Sequence, residues 1–148
     1  MTPTAADDER PFRPRFARVV TLTIGVVVLL LTALLIGAIT HVTAGDRAGI
    51  AVVGIAVAWF CWREAAVLAV PDDQGLTVRN LVVRRRLEWA EIVDVRFGEG
   101  RPWVQLDLAD GDTLAVMAIQ RADGAAAQQE ARRLATLVAR HTPTRRDD

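Results

Sequence analysis

The sequence contains no lysine or tyrosine and has a single cysteine, Cys61. One cysteine cannot form a disulfide within the chain, and it excludes a zinc site built from several thiolates. Because lysine is absent, all 18 basic residues are arginines, and 18 acidic residues balance them. A net charge of zero does not favour nucleic-acid binding, which depends on a basic surface.

Patterns that would indicate catalysis or a metal centre are also absent from the sequence. The two histidines, His41 and His141, have no serine, cysteine or acidic residue at the spacing of a catalytic or metal-binding motif. Cys61 lies within an apolar run, where burial favours an inert thiol over a nucleophile. The sequence therefore predicts a protein that is not an enzyme and has no bound cofactor.

Two apolar runs occupy the first half of the chain. Residues 19–40 contain no charged side chain and are long enough to cross a bilayer, which needs about 20 residues. The second run, residues 48–64, is shorter and ends on Arg63 and Glu64, beside tryptophans typical of the membrane interface. We predict two transmembrane helices over these ranges, joined by an external loop at residues 41–47. An interfacial or re-entrant helix is the alternative for the second run, and a cleaved signal peptide is not expected because the first run is too long.

The arginines predict the orientation of these helices. Four of them flank the first run on its N-terminal side, whereas the loop has only Arg47, beside Asp46, which is also a candidate N-cap. The positive-inside rule then places residues 1–18, which we expect to be disordered, in the cytoplasm. Two crossings return the rest of the chain to the same side, so the prediction is a multi-pass cell-membrane protein with both termini cytoplasmic. The four arginines are Arg10, Arg13, Arg15 and Arg18.

Small residues recur four positions apart in both runs. They are Ala33 and Gly37 in the first run and Gly54 and Ala58 in the second. Small residues at this spacing let two helices approach closely. The pattern indicates packing within one hairpin or association between copies of the chain, although it also reflects a chain rich in alanine and glycine. A structural scaffold that forms homo-oligomers through the hairpin is therefore the alternative function.

The hydrophobic pattern changes to a period of two after Arg63. Alternating segments separated by turn residues predict about six short strands, joined mostly by hairpins in an antiparallel meander. Helical spacing returns between Ala127 and His141, with Asp123 as the candidate N-cap and Pro143 as the stop. Residues 142–148 are expected to form a frayed tail.

Three motifs in this second half carry a resemblance to a known family. They are an Asp-x-x-Gly-Leu-Thr-Val-Arg segment from Asp72, a Trp-x-x-Ile-x-x-Val-Arg-Phe segment from Trp89, and Leu-x-Asp-Gly-x-x-Leu from Leu108. Together with the helical hairpin, they resemble the bacterial PH domains of small two-helix membrane proteins, of the low-molecular-weight protein antigen 6 type. The resemblance implies an α+β fold, in which a PH-like antiparallel β-barrel or sheet with a C-terminal amphipathic helix covers residues 65–141. A full PH barrel has seven strands, one more than the sequence pattern predicts.

The resemblance also implies a membrane-anchored interaction module that binds a protein partner or the anionic membrane surface. Phosphoinositide sites of PH domains are basic, whereas the first loop between strands has Asp72 and Asp73, which disfavour that ligand.

The candidate contacts to lipid or partner are Arg84, Arg85, Arg86 and Trp103. Arginines close to a membrane attract anionic headgroups. The alternative is that Arg84 and Arg86 are solvent-facing residues of a strand, paired with Glu88 or Glu91.

Overall fold

The computed structural model describes residues 9–98 and 100–142 of the chain. The predictions for residues 1–8, for the stop at Pro143 and for the rest of the tail lie outside the described residues. Residues Arg15–Ala66 form one compact unit, and the described residues on either side of that segment form a second. Within these residues, two long helices precede six strands and a final helix.

The first unit is a helical hairpin, with α1 over Phe16–Ala38 and α2 over Ala44–Ala65. Both helices are long and apolar enough to span a membrane. α2 begins earlier than its apolar run because Thr43 and Asp46 form a capping box. The N–H of Asp46 donates to the Thr43 hydroxyl at 3.2 Å, and the N–H of Thr43 donates to the Asp46 carboxylate at 3.0 Å. The N-cap is therefore Thr43 rather than Asp46, and the capped first turn lengthens α2 to 22 residues.

The second unit contains two three-stranded antiparallel sheets, with strand orders β1–β2–β3 and β4–β5–β6. The predicted α+β class, the strand number and the antiparallel order are confirmed. The chain does not continue as one meander, because a 3-10 turn at Trp89–Glu91 separates the two sheets, which do not close into a barrel. The strands are β1 (Leu68–Asp72), β2 (Gly75–Arg79), β3 (Arg84–Glu88), β4 (Ile92–Arg96), β5 (Trp103–Leu108) and β6 (Thr113–Gln120).

The core of this unit lies between the sheets and helix α3, Ala125–His141. Alternate side chains of the strands point inward, as the burial of Leu76, Leu106 and Val116 shows, and α3 covers them with one apolar face. The predicted amphipathic helix is confirmed, but Asp123 does not cap it. Asp123 lies in a preceding 3-10 turn, and α3 begins after Gly124, whose φ of +58° is a conformation that glycine adopts readily.

An N-terminal arm also belongs to this unit, which corrects the prediction of disorder for residues 9–18, the part of residues 1–18 that the structure describes. Phe12 is 1% exposed, and its N–H donates to the carbonyl of Ala69 in β1 at 2.8 Å while its own carbonyl accepts the N–H of Ala69 at 3.0 Å. The guanidinium of Arg133 in α3 lies 3.8 Å from the centre of the Phe12 ring. The arm was not predicted because a single buried aromatic residue in a polar stretch produces no periodic pattern.

Candidate interaction surfaces

The three consecutive arginines of β3 do not form one basic patch. Arg86 pairs with the carboxylate of Asp72 at 3.0 Å, and Arg85 pairs with that of Asp110 at 3.2 Å. The alternative pairing of Arg86 with Glu88 or Glu91 is therefore wrong, because its carboxylate partner is Asp72, the last residue of β1. Among the described residues, Arg84 forms no ion pair.

The acidic turn between β1 and β2 has a structural role. One carboxylate oxygen of Asp72 accepts the backbone N–H groups of Gln74 and Gly75, both at 2.9 Å. Asp72 thereby forms the local turn that its residue type favours. Because this carboxylate is held by two N–H groups and Arg86, the turn offers negative charge and no free cation to a phosphate group.

Arg85 connects the first sheet to the turn between β5 and β6. Besides Asp110, it approaches the carboxylate of Asp112 at 3.9 Å. The N–H of Asp112, donating to the Asp110 carboxylate at 3.0 Å, and then Arg85 lower the pKa of Asp110 below its usual value. This cluster is therefore a link between two sheets and not a site for a ligand.

The two domain tryptophans have different environments. Trp89 is 4% exposed, and its indole N–H donates to the carbonyl of Asp72 at 2.9 Å while its ring stacks on His141 at 4.9 Å. Trp103, the predicted partner contact, is only partly exposed and pairs with Gln120 where the register of β5 and β6 shifts.

The small residues of the hairpin separate into two groups. Gly54 faces Thr32, since a Cβ added at Gly54 would lie 2.3 Å from the threonine hydroxyl, and Ala58 lies against Gly25. Ala33 and Gly37 are exposed, and no atom lies within 4 Å of a Cβ placed at Gly37. Packing within the hairpin thus uses Gly54 and Ala58 but not Ala33 and Gly37.

The structure shows a groove that the sequence analysis missed, between β4 and α3. A cavity of about 610 Å³ has Val95 and Phe97 on one side and Ala131 and Ala135 on the other. A second cavity of about 330 Å³ continues it and shares Val95 and Ala135 with the first. β4 is an edge strand, so the groove is open along one side.

The charges of this groove differ between its ends. The exposed side chains of Arg121 and Arg132 line the larger cavity, whereas Asp94 lines the smaller one. The Asp94 carboxylate accepts the N–H of Val95 at 2.8 Å, which satisfies a backbone donor on the strand beside the groove. The only residue that could have indicated this groove in the sequence is Val93, an apolar residue that is exposed on its strand.

Metal-binding geometry is not found in the part of the chain that the structure describes. No group of three or more histidine, cysteine, aspartate or glutamate side chains there is placed to hold a metal ion.

Comparison with known proteins finds relatives of part of the second unit. Residues 69–136 match a family model described as bacterial PH domain. An uncharacterised protein of Mycobacterium tuberculosis and one of Mycobacterium bovis are each 41% identical to this chain over 69 residues, which make up 47% of this chain and 45% of each relative. The chain therefore spans less than half the length of these curated relatives, and no solved structure is significantly similar to it. Residues 69–136 of this chain are therefore similar to the bacterial PH domain family.

Proposed function

We propose that this protein is a membrane-anchored binding module, whose hairpin spans the cell membrane and whose PH domain binds a protein partner at the groove between β4 and α3. The observation that carries the anchoring is the outward apolar surface of the hairpin. Leu34 in α1 is 68% exposed and Val52 in α2 is 65% exposed, whereas the helix pair of a soluble protein would bury such side chains. A lipid environment would remove this surface from water.

Arginine placement supports a cytoplasmic position for the domain. The first turn of α1 and the residues before it carry Arg13, Arg15 and Arg18. The loop between the helices carries only Arg47, whose guanidinium donates to the carbonyl of Ile39 at 3.2 Å. The excess of positive charge before α1 favours a cytoplasmic N-terminus. An even number of crossings then places the PH domain on the same side.

The groove supports binding of an acidic segment of a protein partner. Its apolar floor at Val95 and Phe97 can take apolar side chains, and its basic end at Arg121 and Arg132 can pair with carboxylates. Binding surfaces generally combine an apolar centre with a polar rim that sets orientation. The bound segment would therefore lie with its acidic residues toward Gly124 and its apolar residues along β4.

Anchoring and orientation are tested on the full chain in bacterial membranes. We expect the protein to stay in the membrane pellet after carbonate washing. Of two reporters fused after Asp148, we expect the one that works only in the cytoplasm to be active and the one that works only after export to be inactive. Release by carbonate would contradict the anchoring, and activity of an exported reporter at this position would contradict the orientation.

Groove binding is tested by a photo-crosslinking amino acid placed at Gln128, which lines the groove. The matched control is the same amino acid at the exposed neighbour Gln129. We expect one defined adduct from position 128, none from position 129, and a several-fold loss of the adduct in the double variant Arg121→Glu, Arg132→Glu. Equal adducts from both positions, or an adduct unaffected by the charge reversal, would contradict groove binding.

A further inference from the structure

The loop between β2 and β3 presents apolar side chains between two arginines. Val82 is 83% exposed and Val83 is 51% exposed, and Arg79 and Arg84 flank them at the ends of the two strands. Scattered exposed valines are common on soluble domains. Two adjacent exposed valines at the tip of a loop, with a cation on each side, combine an apolar surface with positive charge, the combination that favours binding to an anionic membrane interface.

The loop is held in this exposed position by specific hydrogen bonds. The amide of Asn80 donates to the carbonyl of Ala115 at 2.7 Å and accepts the N–H of Met117 at 3.1 Å, so it joins the loop to β6. The backbone N–H of Asn80 also donates to the carbonyl of Val83 at 2.8 Å, which closes the turn. The exposure of the valines is therefore a property of an ordered turn and not of a frayed one.

Strand register places this loop at the end of the sheet where the chain arrives from the hairpin. Arg79 pairs with Leu68, the first residue of β1, and Leu68 follows the last helical residue, Ala65, by three positions. Three residues of extended chain span at most about 10 Å. Leu68 therefore lies within about 10 Å of the end of α2, whatever the orientation of the domain. The acidic turn at Asp72 and Asp73 lies at the opposite end of the same strands.

We propose that Val82 and Val83 insert into the interface of the anionic membrane that holds the hairpin, with Arg79 and Arg84 against lipid phosphates. The proposal rests on the anchoring described above. Neither arginine forms an ion pair with another described residue, whereas Arg85 and Arg86 are both paired with aspartates. The lipid contact is therefore made by Arg84 and the unpredicted Arg79. The acidic turn would face away from the negatively charged surface.

The experiment uses the full chain in lipid nanodiscs with a fluorescent reporter on a single cysteine. Cys61→Ala removes the native thiol and keeps its Cβ, which packs 3.3 Å from the position of a Cβ at Gly25. The reporter is then attached at Val82→Cys, or at Asp73→Cys as the matched control at the other end of the sheet. We expect lipids that carry a nitroxide quencher to quench the reporter at position 82 several-fold more than at position 73. This difference should shrink when phosphatidylglycerol is replaced by phosphatidylcholine.

The two arginines are tested in the same assay. Arg79→Gln with Arg84→Gln should reduce quenching at position 82 several-fold in anionic nanodiscs. The matched control, Arg101→Gln with Arg140→Gln, neutralises two arginines outside both the loop and the groove and should leave the quenching unchanged. Equal losses in both double variants would show a general charge effect and would overturn the assignment of these two residues.

The outcomes separate this inference from the anchoring on which it depends. A chain that does not float with vesicles after carbonate washing contradicts the anchoring itself. A chain that floats, but whose reporter is quenched no more at position 82 than at position 73, overturns the lipid insertion alone. A crosslinker at position 82 that captures a protein in native membranes, without lipid quenching in nanodiscs, would assign the loop to a protein partner and overturn the proposal.

Discussion

Asp72 shows how a single residue of this domain acquires several partners through a tight turn. Its carboxylate accepts two backbone N–H groups and pairs with Arg86, and its carbonyl accepts the indole N–H of Trp89. Gly75, which ends the turn, lies so close to β3 that a side chain at this position would clash with the backbone of that strand. The residues that define this end of the sheet are therefore fixed by backbone contacts.

Gly75→Ala tests this close approach. An added Cβ would lie 1.9 Å from the carbonyl oxygen of Leu87, a backbone atom of a paired strand that cannot move without breaking the sheet. We expect a loss of unfolding free energy of at least about 1–3 kcal/mol, the usual cost of overpacking. The measurement is urea unfolding in detergent micelles. Gln74→Ala, at the exposed neighbour, should change the stability by less than about 0.5 kcal/mol, and equal effects would contradict the assignment.

Asp110 gives the domain a predicted dependence on acid pH. The N–H of Asp112, followed by Arg85, lowers the pKa of Asp110 below 3.8 in the folded protein. A carboxyl group with a lowered folded pKa contributes stability above its unfolded pKa and loses that contribution as the pH falls through the folded value. We therefore expect Asp110→Asn to lower the melting temperature at neutral pH, with the difference from wild type shrinking below pH 3.8. A difference that is constant with pH would contradict the prediction.

The elements of the chain are joined by two kinds of packing. In the hairpin, small side chains let α1 and α2 approach, and the Thr32 hydroxyl beside Gly54 donates to the carbonyl of Val28 at 2.7 Å. In the domain, α3 is held by apolar burial and by the N-terminal arm, where Arg10 pairs with Glu130 at 2.8 Å. Each contact can be altered by one substitution.

Gly54→Ala tests the packing of the hairpin. The new Cβ would lie 2.3–2.9 Å from three side-chain atoms of Thr32, so the helices must separate or the threonine must change rotamer. We expect a loss of about 1–3 kcal/mol in micelles. A Cβ added at Gly49 would have no atom within 4 Å. Gly49→Ala should therefore be neutral or stabilising, because alanine favours a helix by about 1 kcal/mol over glycine.

Rescue distinguishes a clash from a general effect of alanine. Combining Gly54→Ala with Thr32→Gly removes the clashing side chain and should recover part of the lost stability. No recovery in the double variant would contradict the assigned contact.

Phe12→Ala tests whether the arm is an integral part of the domain. The ring is buried against β1 and Arg133, so its removal leaves a cavity and should cost about 3–5 kcal/mol of unfolding free energy. Pro11→Ala changes the exposed neighbour and serves as the control. A Phe12→Ala variant as stable as the control would show that the arm only rests on the surface.

The whole chain consists of two compact units, and each has its own solvent requirement. The hairpin presents apolar side chains outward along most of its length, whereas the second unit buries its apolar side chains in one cluster. An outward apolar surface is in general stabilised by lipid, whereas a buried apolar core is stabilised by water. Such units can lose stability independently.

Hydrogen exchange on the Phe12→Ala variant tests this independence. In micelles, we expect faster exchange of the amides in residues 67–142 and unchanged protection in α1 and α2, because the substituted ring belongs to the second unit. Increased exchange throughout both units would show that they unfold together.

Local patterns in the sequence determine much of this molecule. An uncharged run, a period of two and a helical period correctly predict α1, the six strands and α3, because each depends on neighbours a few residues away. The fold class and the resemblance to bacterial PH domains follow from these patterns and from the motifs around Trp89. From Asp72 and Asp73, the sequence also predicts that this loop disfavours phosphoinositides.

Only the tertiary structure decides which side chains are available for binding. Arg85 contacts Asp110, twenty-five positions away in the sequence. Phe12 pairs with Ala69 of β1, although the whole hairpin lies between them in the sequence. Neither contact therefore has a local signature. The groove beside β4 likewise depends on how α3 packs across the sheet. Three consecutive arginines suggest one basic patch, because the order of residues along the chain does not show which acidic residues the paired strands bring close. Register and sheet packing engage two of them with aspartates and leave Arg84 beside the exposed valines.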